Sequence, residues 1–311
     1  MRQNHVVATA AQRALQPADL ILKRSRRYQR VRRAVLAASV AVVVGAPLWH
    51  LRRNVAEGAG LAARSLWATA GPVWAERWAP LVEGAPWTVR VAGVEFLDPL
   101  AALSLLATRA FSWQALVGCL PALLLTIALG RFFCGWLCPY LPFLAASNAA
   151  RALLARLGFR PPDVRLSPKL GRAVLAGLIV ASAVAGSVLV PLAYPPALIG
   201  REAWRAVFQG SVGAGAVGLA AAFAFDTFVS RAGFCRSLCP GGALFALLGA
   251  KSRLAVSRTP AACTDCHACD VVCNLGQSPM TDQVNAGCER CGKCVAVCPT
   301  AALAWSVRRV S

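Results

Sequence analysis

From Cys263 the chain reads CTDCHACDVVC, and from Cys288 it reads CERCGKCVAVCP. Each is C-x2-C-x2-C-x3-C, a register in which two iron–sulfur cubanes are ligated crosswise. Three thiolates spaced in this way wrap three corners of one cubane, and the fourth ligand comes from the other motif. The expectation is two [4Fe-4S] clusters. Cluster I would sit on Cys263, Cys266, Cys269 and Cys298; cluster II on Cys288, Cys291, Cys294 and Cys273. Structural zinc uses C-x2-C pairs and does not call for eight cysteines in this register. With the cysteine set complete, His267 reads as a solvated loop residue. The first motif ends Cys273-Asn274 where the second keeps Cys298-Pro299, so Asn274 is a candidate to alter hydrogen bonding around cluster II.

A second cysteine pattern lies upstream. RFFCGWLCPY (Arg131–Tyr140) and AGFCRSLCPGG (Ala232–Gly242) repeat C-x-x-x-C-P after two apolar runs. Residues four apart share a helical face, and proline favours the first turn of a new helix. Cys134 and Cys138 then point one way, as do Cys235 and Cys239. If the two halves are related by an axis along the membrane normal, the four thiols converge. They would form a metal or cluster site or a redox-active thiol set; the plainer reading is small residues that fix helix packing. Cys119, alone in an apolar run, reads as packing.

These elements must be positioned by a membrane domain. The chain is 57% hydrophobic and 15% charged, yet carries a formal charge of +20. Four apolar windows approach the roughly 20 residues that a span requires. They are Ala34–Leu51, Ala110–Gly130, part of Ala173–Gly200 ending near Pro191–Pro196, and about Ala206 to Ser230. Pro99–Thr108 is too short to cross and reads as an interfacial or re-entrant piece. The first window follows a long basic leader and reads as a retained anchor, not a cleaved signal peptide. Segments 1–33, 131–172 and 231–311 hold 25 Lys/Arg, against seven in 51–98 and 194–205. That asymmetry places both termini and the middle loop in the cytoplasm. It also makes the positive charge a topology signal and argues against nucleic acid as a partner. In the outer loop, Trp67, Trp74 and Trp78 fall near one helical face and read as membrane anchors.

The fold expected is a membrane α-helical, four-span bundle in two tandem two-helix halves, followed by an α+β bacterial two-cluster ferredoxin-like domain. The divisions are a basic cytoplasmic segment 1–33, a membrane domain 34–255 and the ferredoxin-like domain 256–311. Only three histidines occur, His5, His50 and His267, so no haem is expected within the bundle. No dinucleotide fingerprint is present, so electrons must come from a partner or a lipid-soluble carrier such as quinol. Asp98 and Asp226 are candidate quinol proton acceptors. The plainer readings are a helix-end residue at Asp98 and an Arg231 partner at Asp226.

Together, C-G-W-L-C-P, F-C-R-S-L-C-P-G-G-A, the following G-A-K-S and the two-cluster tail resemble the NapH-type membrane ferredoxins, with the MauN and NosR types as relatives. The resemblance covers nearly the whole chain from about residue 30. It implies an inner-membrane component that oxidises quinol and passes electrons towards a periplasmic reductase system, working with membrane lipid, the quinone pool and redox-protein partners. It carries over onto Cys134, Cys138, Cys235, Cys239, the eight tail cysteines, Asp98-Pro99 and Asp226. The N-terminal 33 residues, the Trp-rich loop and Asn274 depart from the pattern. A maturation factor that supplies electrons for assembly of a partner redox enzyme is the alternative from another class.

Overall fold

The computed structural model describes residues 18–58, 82–85, 88–91, 94–108, 113–186, 189–281 and 287–307. Trp67, Trp74 and Trp78 lie outside them. Helix α1 (Ala18–Gly58) is 41 residues long, about 60 Å at 1.5 Å per residue. It runs from the basic segment through the first apolar window, so no break separates the two. The segment between α1 and Asp98 contains an antiparallel meander that the sequence reading does not anticipate. Its strands are β1 (Val82–Ala85), β2 (Thr88–Val91) and β3 (Val94–Leu97), in register Val82↔Val91 and Thr88↔Leu97.

Next come α2 (Pro99–Ala107), α3 (Trp113–Leu129), α4 (Phe132–Trp136) and α5 (Leu141–Arg156). Helix α6 (Pro168–Ala185) has a well-defined start and stop. The Ser167 side chain accepts from the Lys169 amide, Pro168 occupies the first turn, and Gly186 ends the helix in a left-handed conformation. Among the described residues, α6 is the one helix long and apolar enough to cross a hydrocarbon core. The apolar stretch Leu116–Leu129 of α3 and the helix α8 (Ala214–Phe228) are shorter.

Two expected boundaries move. The third apolar window was expected to end near Pro191–Pro196, but α6 stops at Ala185, eleven residues before Pro196. The chain folds back along it, with the Leu189 amide donating to Ser182 Oγ at 3.1 Å. Tyr194 then caps α7 (Pro195–Gln209) and is buried with Leu100, Leu175, Val190 and Cys239. Gly186 permits the reversal, and Pro191, Pro195 and Pro196 prevent a continuous helix. The fourth window was expected to run unbroken from about Ala206. Instead α7 ends at Gly210, again left-handed, and α8 starts at Ala214.

After α8, a π-helical turn (Phe234–Leu238) leads into α9 (Pro240–Leu248). The tail then forms β4 (Leu254–Arg258), α10 (Ala268–Val272), α11 (Lys293–Val297) and β5 (Leu303–Val307). β4 and β5 pair antiparallel, Leu254 with Val307 and Arg258 with Leu303. His267 and Gly292 occupy matching left-handed positions before α10 and α11, so the two cysteine motifs share one backbone course. His267 is exposed, with Nδ1 3.0 Å from Asp270 Oδ2.

Candidate functional site: two cysteine cavities that share a wall

The two C-x-x-x-C-P elements have the same local geometry. In the first, the Cys138 amide donates to the Phe133 carbonyl at 3.0 Å; in the second, the Cys239 amide donates to Phe234 at 2.8 Å. Each bond reaches back five residues. This wide turn carries the two cysteines round before the proline starts the next helix. Cys239 also caps α9, its Sγ accepting from the Gly242 amide at 3.4 Å.

Cys134, Cys138, Cys235 and Cys239 line one cavity of about 30 Å³, with Arg131, Tyr140, Tyr194, Leu275 and Glu289 also in its wall. Asp226 ties the elements together. Its Oδ2 accepts from the Tyr140 hydroxyl at 3.1 Å and its Oδ1 from the Phe234 amide at 2.8 Å. Asp226 is fully buried with both oxygens engaged. Arg231 is elsewhere; its amide donates to Asp163 Oδ1. Asp98 caps α2, Oδ1 accepting from the Leu100 amide at 2.7 Å. Burial pushes its carboxyl up to about 6, opposed by those backbone donors. The Tyr194 hydroxyl, buried and without a partner among the described residues, lies within electrostatic reach of Asp98, Cys138 and Cys134. Cys119 is buried, with its thiol donating to the Leu116 carbonyl.

Cys273, Cys288, Cys291 and Cys294 line a second cavity of about 20 Å³. Leu275 and Glu289 border both cavities. Cys263, Cys269 and Cys298 gather around Val256, Val295, Ala302 and Leu303, while Cys266 is exposed. Among the described residues, no three His, Cys, Asp or Glu side chains stand close enough to hold a single metal ion.

The loop Gly287–Cys291 is held against the first element from several sides. The Trp136 indole donates to the Arg290 carbonyl at 3.1 Å, and Arg131 Nη1 to the Gly287 carbonyl at 3.1 Å. A Cβ on Gly135 would run into the Glu289 carbonyl, so only glycine permits this approach. Helix α1 closes the remaining side. Tyr28 donates to the Cys291 carbonyl, Arg32 Nε to Gly135 at 2.8 Å, and Ser39 to Leu137 at 2.6 Å. Asn274 bridges Glu289 and Lys293, its Nδ2 3.1 Å from Glu289 Oε1 and its Oδ1 2.7 Å from Lys293 Nζ. Asn274 thus hydrogen-bonds to two residues of the Cys288–Cys294 motif.

A family described as a 4Fe-4S binding domain matches the chain twice, over residues 109–155 and 212–259. The two stretches enclose Cys134/Cys138 and Cys235/Cys239. Among curated proteins, the Ferredoxin-type protein NapH of Escherichia coli is 31% identical over 221 residues, covering 66% of this chain and 72% of that protein. The chain belongs to the NapH ferredoxin-type family. The NapH of Haemophilus influenzae is 31% identical over 68% of this chain and 75% of its own length. The Methylamine utilization ferredoxin-type protein MauN of Methylorubrum extorquens is 34% identical over 57% of this chain and 59% of its own length. No solved structure matches. This NapH-family chain is thus a ferredoxin-type iron–sulfur protein, which assigns it to electron transfer.

The sequence presents Arg131 and Arg32 only as topology charges and gives Tyr28 no role. Arg131 had one available signal: its place in the repeat is taken by Ala232, although the flanking Phe-Cys and Leu-Cys-Pro agree. Tyr28 and Arg32 had none, because their partners lie more than 100 residues away.

Proposed function

We propose that this NapH-family chain is an integral membrane protein that moves electrons from membrane quinol towards a periplasmic reductase system. The observation that carries the reading is the shared wall: Leu275 and Glu289 border both the four-thiol cavity and the tail cavity. A redox group in one is separated from a group in the other by little more than those side chains.

The tail cysteines hold two [4Fe-4S] clusters, on Cys263, Cys266, Cys269 and Cys298, and on Cys288, Cys291, Cys294 and Cys273. Cys134, Cys138, Cys235 and Cys239 hold a third. Bound clusters supply one-electron transfer at potentials set by charge and hydrogen bonds. The residues fit anionic guests. Arg131 and Arg290 are 4% and 1% exposed, with Arg131 Nε and Arg290 Nε and Nη1 lacking hydrogen-bond partners among the described residues. Buried cations of this kind are costly unless an anion compensates them.

The membrane part spans the inner membrane four times, with both termini and the tail cytoplasmic, as the 25-to-seven Lys/Arg distribution supports. Asp98 is the better candidate to take quinol protons, since the hydrogen bonds of Asp226 hold the two halves together. The domain divisions are 1–33, 34–255 and 256–311, with the quinone pool and a redox protein as partners.

The test is anaerobic purification with iron and sulfide counting, EPR and a quinol-oxidation assay. Wild type is compared with a Cys134/Cys138/Cys235/Cys239→Ser variant. Wild type is expected to hold about 12 irons and the variant about 8, with quinol oxidation lost in the variant. About 8 irons in both eliminates the third cluster. Full loading without quinol turnover, together with a cofactor defect in a partner enzyme, favours the maturation role.

A further inference from the structure

Arg131 sits at the junction of three segments. Nη1 donates to the Gly287 carbonyl at 3.1 Å and Nη2 to the Cys235 carbonyl at 3.2 Å, and Arg131 lines the cavity beside Cys134. It forms no ion pair with a carboxylate among the described residues. The fold makes room for it: a Cβ on Gly242 would approach Nη2 to 2.8 Å. The second element has no counterpart, because Ala232 occupies the matching place, fully buried. Two neutral carbonyls do not compensate a desolvated guanidinium. Four thiolates around an iron–sulfur core carry the net negative charge that would.

We propose that Arg131 is the counter-cation of the four-thiol site and sets its reduction potential. The inference rests on the reading that these cysteines hold a cluster. A fixed positive charge against the ligands favours the reduced, more negative state, so Arg131 raises the potential. Glu289, in the same cavity wall, acts in the opposite sense. Arg32, 4.0 Å from Glu289, partly offsets it. Arg131 is a positioning residue: it touches the ligands and the neighbouring loop, and no substrate.

The experiment is an EPR-monitored redox titration of the intact protein as wild type, Arg131→Gln and Arg131→Lys, with iron counted in each. The cluster on Cys263, Cys266, Cys269 and Cys298 is the internal reference. In Arg131→Gln, the signal that the four-serine variant lacks is expected at a lower potential. The expected change is about tenfold in the oxidised-to-reduced ratio, or ~59 mV for one electron. Arg131→Lys should restore most of it. An unchanged midpoint in Arg131→Gln, or an equal shift in both variants, overturns the charge role. If Arg131→Gln does not assemble, Gly242→Ala, whose Cβ would crowd both Nη2 and the Cys235 carbonyl to which Nη2 donates, should give a smaller shift of the same sign; no shift there also overturns it. About 8 irons in wild type would instead sink the underlying cluster reading, whatever the variants do.

Discussion

The two C-x-x-x-C-P elements share cysteine spacing, backbone hydrogen bonding and a common cavity, but their intervening residues face different neighbours. In the first, Gly135 and Trp136 meet the ferredoxin loop at Glu289 and Arg290. In the second, the same places hold Arg236 and Ser237, which turn to the segment before α6. There Ser237 Oγ donates to the Leu166 carbonyl at 3.0 Å, and Arg236 Nη2 donates to the Val164 carbonyl at 3.5 Å. Both halves touch the tail, but the first meets the loop Gly287–Cys291 through Gly135 and Trp136. The second shares a hydrophobic cluster with Leu275 through Phe234 and Cys235, and is tied to the segment before α6 through Ser237. The cysteines supply the common chemistry, and the residues between them decide what the site is attached to.

The sharpest way to break this comparison is to give the first half the residue of the second. Gly135→Arg should cost more than about 3 kcal/mol and detach the tail, because the side chain meets backbone with nowhere to go. Limited proteolysis between Ser252 and Cys263 would detect the release. Arg236→Ala should cost about 1 kcal/mol or less and leave the tail docked. Next in size is Asp226→Ala, which removes the acceptor joining Tyr140 to Phe234. A loss of about 3 kcal/mol is expected in thermal unfolding. Leu125, at the equivalent place in the first half, is 46% exposed, and its alanine variant should stay within about 0.5 kcal/mol.

Smaller effects sharpen the picture. Trp136→Phe and Ser237→Ala should each cost about 1 kcal/mol. Hydrogen exchange should rise around Arg290 in the one and around Leu166 in the other; a rise at both places in either variant would contradict the division. The smallest effect concerns the paired cap positions, Asp98 and Tyr194. The folded Asp98 carboxyl is raised from 3.8 to about 6, so the folded state holds its proton more tightly than the unfolded chain. Stability should therefore fall as pH rises through that interval, and Asp98→Asn should flatten the dependence of melting temperature on pH.

The sequence was most legible where chemistry forces spacing. The eight tail cysteines and the four upstream ones announce themselves by register, and the fold brings the upstream four into one cavity. It was least legible where a charge had two possible uses. Arg131 and Arg32 entered the Lys/Arg asymmetry as topology signals, yet both are buried against the cysteine loops. Tyr194 was hidden for another reason. An apolar stretch with prolines reads as the end of a span, while the turn at Gly186 that brings it inward leaves only a glycine as its mark. The meander of β1, β2 and β3 was obscured by a tryptophan pattern at helical spacing upstream of it.

Helix α1 bears on how the molecule is made. Tyr28 lies on α1, yet its hydrogen-bond acceptor, Cys291, is 263 positions later. The helix therefore waits through most of translation for the surface it will cover. The covering of the Cys291 backbone by α1 is thus a contact between the two ends of the chain's order of synthesis, made only once both are present.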